Sequence, residues 1–94
     1  KITNSKAIIS GGASGLGLKT AERIINSGGM AVLMDLNSEQ GSANAKRLGD
    51  RALFIKTNVT SENEIQSAVK EANDFMDGIT LAVSCAGVVG AEEL

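Results

Sequence analysis

Short apolar runs alternate along the chain with stretches in which apolar residues recur every three or four positions. The runs are Lys6-Ala7-Ile8-Ile9-Ser10, Met30-Ala31-Val32-Leu33-Met34, Ala52-Leu53-Phe54-Ile55 and Ile79-Thr80-Leu81-Ala82-Val83-Ser84. Their length and aliphatic content predict four strands. Between the first two, Leu18, Ala21, Ile24 and Ile25 share one face of a helix predicted from about Gly15 to Ser27. Gly28-Gly29 ends it by supplying a left-handed cap position. A second helix is predicted after Asp35. Asn37 and Gln40 have capping-box spacing, Ala43, Ala45 and Leu48 give a thin apolar face, and Gly49 stops it. The third helix has the strongest pattern. Ser61 and Glu64 form a second capping box, Ile65, Ala68, Val69, Ala72 and Phe75 line one face, and Asp77-Gly78 turns the chain.

Strands that alternate with helices imply a parallel sheet with right-handed crossovers. The expected architecture is α/β, a Rossmann-type doubly wound sheet with strand order 3-2-1-4. Residues 1–94 then form one portion of a larger domain. The order reverses between strands 1 and 4, and a ligand crevice lies at the carboxyl ends of such strands. The segments Gly11–Gly17, Asp35, Asn58-Val59 and Cys85-Ala86-Gly87 all fall on that edge. The fourth strand would be an edge strand, yet it is almost wholly apolar, and edges are normally short, charged or covered. More strands and helices are therefore expected past Leu94.

Gly11-x-x-x-Gly15-x-Gly17 follows the first strand, and Asp35 ends the second strand eighteen residues beyond Gly17. Strand, glycine turn, helix, strand and acid together form the pattern of a dinucleotide-binding unit. Glycines permit positive φ and a close approach of backbone to ligand. A helix N-terminus offers unpaired N–H groups and partial positive charge to a pyrophosphate. An acid at the end of the second strand can take both hydroxyls of an adenosine ribose. No Arg or Lys stands at Ser14, Leu36 or Asn37 to neutralise a 2′-phosphate, so the expected cofactor is NAD rather than NADP.

Composition limits what this chain can do with such a ligand. Its 94 residues contain no His, Tyr or Trp. Hydride-transfer enzymes need a proton donor near neutral pH, usually His or Tyr, so binding is expected here without the acid–base step. The net charge is −2, the pI is about 5.0, and no basic stripe is present. Nucleic acid is accordingly not an expected partner. No apolar run approaches the ~20 residues of a membrane span. Cys85 is the sole cysteine, so no internal disulfide can form. That suits a reducing compartment such as the cytoplasm.

These residues resemble the short-chain dehydrogenase/reductase family. The glycine turn has that family's T-G-x-x-x-G-x-G form, with Ser10 in place of Thr. Asn58-Val59 is similar to its Asp-Val segment, and Ser84-Cys85-Ala86-Gly87 to its N-N-A-G segment. Within the family, the likeness is to the type II 3-hydroxyacyl-CoA dehydrogenases. It is carried by Ser10–Leu18, Thr20-Ala21-Glu22-Arg23, Ala45-Lys46-Arg47-Leu48-Gly49, Val59-Thr60-Ser61-Glu62 and Cys85-Ala86-Gly87.

The resemblance implies roles residue by residue. Gly11, Ser14, Gly15, Leu16 and Gly17 line the turn against pyrophosphate and ribose. Asp35 takes the ribose hydroxyls. Asn58, through its side-chain oxygen, and the Val59 backbone hold the adenine edge. Cys85, Ala86 and Gly87 pass beside the ribose and nicotinamide. Asn58 stands where the family has an acid, and Ser84 where it has Asn. The family's catalytic Ser, Tyr, Lys and Asn have no counterpart here and would lie beyond Leu94. The implied reaction is NAD-dependent oxidation of a 3-hydroxyacyl-CoA, a small-molecule substrate, by a homotetramer. The alternatives are another alcohol class (steroid, sugar or acyl-carrier) and a non-catalytic module that binds NAD or a related adenine nucleotide.

Overall fold

A computed structural model describes residues 5–11 and 15–84. The elements in chain order are β1 (Lys6–Ser10), α1 (Gly15–Asn26), β2 (Met30–Asp35), α2 (Ser38–Leu48), β3 (Ala52–Lys56), α3 (Glu62–Met76) and β4 (Leu81–Ser84). All strand pairs are parallel and the sheet order is β3-β2-β1-β4, as the alternation predicts. β1 and β2 are central and buried along their length, which is why they read as continuous aliphatic runs.

Alternate side chains of these strands divide between two cores. Ala7, Ile9, Ala31 and Leu33 face Ala21, Ile24 and Ile25 of α1 and Ala45 of α2. Ile8, Val32 and Met34 face Ala68, Ala72 and Met76 of α3. Ile9, Val32 and Leu33 are wholly buried, each worth about 1.5–3 kcal/mol of transfer free energy. Two helices thus cover one face, and α3 alone covers the other among the described residues.

The expected faces hold with informative shifts. On α1, Gly17 takes the fully buried place and Leu18 is only half-buried. On α2, Gly41 and Ala45 are buried whereas Ala43 is exposed. Gly41 lets the helix sit on the Phe54 ring of β3, where any Cβ would collide with that ring. On α3 the buried line is Ala68, Ala72 and Met76; Ile65 and Phe75 are half-buried and Val69 is 37% exposed. A single helix on that face buries only the strip directly above the sheet. β4 begins at Leu81, two residues later than the apolar run, because the Thr80 hydroxyl accepts the Lys6 N–H that a strand carbonyl would otherwise take.

Candidate functional site at the carboxyl edge of the sheet

The exits of β1, β2 and β3 lie side by side. The Gly11 N–H donates to the Met34 carbonyl at 2.8 Å, tying the first exit to the end of β2. The Thr57 N–H donates to the Asp35 carbonyl at 2.9 Å, tying that end to the exit of β3. Gly11, Gly15, Leu16, Gly17, Asp35, Asn58 and Val59 therefore share one edge. Ser14, Cys85, Ala86 and Gly87 lie outside the described residues.

The described glycines on either side of residues 12–14 have a backbone that favours glycine. Gly11 has φ of 72° and Gly15 has φ of 64°, a region that side-chain-bearing residues seldom enter. Beyond its chain neighbours and its own helix backbone, a Cβ on Gly15 would meet no described atom within 4 Å, so the space beside it is open. Gly17, by contrast, is buried where α1 meets the sheet. The first turn of α1 holds no acid, whereas α2 has Glu39 there and α3 has Glu62 and Glu64. The partial positive charge at the start of α1 is thus not offset by its own side chains.

Asp35 is half-buried at the end of β2. Its Oδ1 accepts the Asn37 N–H at 3.2 Å, which anchors the carboxylate to the start of α2. The predicted capping box at Asn37 is therefore wired differently. Asn37 Oδ1 accepts the Gln40 N–H, as expected of an N-cap, but Gln40 Oε1 accepts from Asn37 Nδ2 rather than from the Asn37 backbone. Asp35 has already taken that backbone donor. The box at Ser61 is likewise half-formed. Ser61 Oγ accepts the Glu64 N–H, while the Glu64 carboxylate reaches past it to the Asn58 N–H at 2.8 Å.

Asn58 is half-buried, and its Oδ1 accepts both the Thr60 N–H at 3.0 Å and the Thr60 hydroxyl at 2.6 Å. Thr60 was not singled out from the sequence as part of the site. An Asn with a hydroxyl residue two positions on is the signature of a side-chain-closed turn, and it could have revealed the pairing. Two further residues flank the carboxylate, of which only Lys56 was not singled out from the sequence. Leu36 is 58% exposed directly after Asp35. Lys56 is the register partner of Asp35 on the next strand.

A glycine turn opening a helix, an anchored carboxylate beside it and a closed turn on the third strand form an edge suited to an extended, phosphate-bearing ligand. The short chain dehydrogenase family model matches residues 5–94, and the chain belongs to that family. It is 47% identical over 85 residues to 3-hydroxyacyl-CoA dehydrogenase type-2 of Rattus norvegicus, covering 90% of this chain and 33% of the relative. It is 46% identical over 87 residues to the human protein of the same name, covering 93% and 33%. Among solved structures, 3-hydroxyacyl-CoA dehydrogenase type-2 from Mycobacterium avium superposes with a TM-score of 0.78 at 43% identity, over 89% of this chain and 33% of that one. The 3-ketoacyl-(acyl-carrier-protein) reductase from Brucella melitensis, solved with NADH, has a TM-score of 0.83 at 24% identity, over 87% and 34%, and shares the fold. The chain spans about a third of the length of the relatives it matches. Among the described residues no helix is long and apolar enough to cross a membrane.

Proposed function

We propose that this chain is the NAD-binding portion of a dehydrogenase that oxidises the secondary alcohol of a 3-hydroxyacyl-CoA to a ketone. The observation that carries the reading is the pairing of a positive-φ glycine turn, open beside Gly15, with an anchored carboxylate at Asp35. NAD, when bound, accepts the hydrogen and electron pair from the alcohol carbon. The chain's own residues bind and orient. Gly11 and Gly15 let the backbone approach the pyrophosphate, Gly17 lets α1 lie close on the sheet so that its start faces the ligand, and Ser14 and Leu16 line the turn. Asp35 accepts from the two ribose hydroxyls. The Val59 backbone N–H donates to the adenine ring beside Asn58, and Cys85, Ala86 and Gly87 flank the ribose and nicotinamide. No His or Tyr is available to take the hydroxyl proton, so that task falls to residues outside this chain. The similarity to enzymes named for acyl-CoA substrates supports the substrate class. By resemblance to the family, the working assembly is a homotetramer in the cytoplasm or the mitochondrial matrix.

Asp35 also selects the cofactor. A 2′-phosphate would meet its carboxylate, and two like charges ~4 Å apart at an effective dielectric near 20 repel by about 4 kcal/mol before relaxation. Lys56, in register beside Asp35, softens this repulsion. One-third of the repulsion surviving leaves about a tenfold preference for NAD. Calorimetry of the full-length protein with NAD and NADP, alongside NADH formation from 3-hydroxybutyryl-CoA, tests the reading. Asp35→Ser is expected to remove the preference and Lys56→Ala to sharpen it. Equal affinities in the parent protein would remove the role given to Asp35.

A further inference from the structure

The two ends of the Asn58 amide are not equally available. Its Oδ1 accepts from the Thr60 backbone N–H and from the Thr60 hydroxyl. A backbone N–H can only donate, so the atom facing it is the oxygen and the orientation of the amide is fixed. An amide oxygen has two lone pairs, and both are engaged. What Asn58 retains for a ligand is Nδ2, which donates and cannot accept. A carboxylate at this position would keep a second oxygen as an acceptor.

We infer that Asn58 makes the base end of the site a donor-presenting edge that takes a 6-oxopurine about as readily as a 6-aminopurine. This inference rests on the nucleotide reading above. A ligand with phosphates at the turn after β1 and a ribose at the end of β2 runs towards β3, so its base falls at Asn58-Val59. Adenine presents a donor at C6 and an acceptor at N1; hypoxanthine presents an acceptor at C6 and a donor at N1. Adenine N1 accepts the Val59 N–H, while its amino group meets Nδ2 donor to donor. The hypoxanthine oxygen accepts from Nδ2, while its N1–H meets the Val59 N–H. Each base makes one matched and one mismatched contact, so neither gains a large advantage.

The test compares NAD with nicotinamide hypoxanthine dinucleotide, which differ only at that edge, by calorimetry on the full-length protein. The expected dissociation constants lie within about threefold of each other. Asn58→Asp restores an acceptor for the amino group and repels the 6-oxo group, and should favour NAD by about tenfold or more. Thr60→Val keeps the backbone donor but frees one lone pair of Asn58, and should move the ratio the same way by less. A parent protein already favouring NAD by about tenfold, or an Asn58→Asp ratio equal to the parent's, overturns the inference and leaves the nucleotide reading standing. Binding of neither dinucleotide overturns both.

Discussion

Gly15 holds φ at 64° with open space where a Cβ would project. A β-branched residue there meets two obstacles. The backbone conformation is strained by about 1–3 kcal/mol, and the branch fills the volume a pyrophosphate would need. Gly15→Val is therefore expected to lose NAD binding while circular dichroism reports nearly unchanged helix. Normal NAD affinity in a folded Gly15→Val protein would remove the turn from the binding site. The need for glycine here was readable from the motif, because few residues tolerate that conformation. Asn58 was less readable. The sequence offered its oxygen to adenine, but that oxygen faces Thr60. Which of two nearby donors an amide serves depends on the turn that brings them together, and one-dimensional spacing does not rank them.

On α2, two effects of opposite sign meet at Gly41. Replacing a helix-interior glycine by alanine gains up to about 1 kcal/mol in propensity. The added Cβ, however, collides with the Phe54 ring, and overpacking costs about 1–3 kcal/mol. Gly41→Ala should therefore destabilise the fold in a denaturant titration. In a Phe54→Ala background the same change should stabilise it, and a coupling near zero in that cycle would show that the helix rests elsewhere. The helices and strands could be read from periodicity and the strand order from their alternation, since each helix keeps a buried line of residues towards the sheet. The contact at Gly41 could not, because a glycine adds nothing to an apolar pattern even when it sets how closely a helix approaches a sheet. Val69 fails in the opposite sense. Its spacing places it on the buried face, but α3 stands alone over its side of the sheet and leaves it 37% exposed.

For the molecule as a whole, the proposed function separates binding from acid–base chemistry. Residues 1–94 contain neither His nor Tyr, so the isolated chain is expected to yield no NADH from 3-hydroxybutyryl-CoA. β4 is the outermost strand on its side among the described residues, with half-buried Leu81 and Val83, and the isolated chain is expected to self-associate through it. Turnover by a monodisperse 94-residue protein in light scattering would overturn this division of labour. The sheet order has a temporal side as well. β1 pairs with β2 across a single helix, but it meets β4 only after a chain separation of 74 residues, as between Lys6 and Thr80. Contacts between distant segments form slowly, because the intervening chain must first be ordered. On a ribosome, which delivers residues from the N-terminus, β1, α1 and β2 emerge long before β4. Gly11 and Asp35 can thus be joined through Met34 while the far side of β1 is still unpaired, so the carboxyl edge of the sheet matures from one flank to the other as the chain is made.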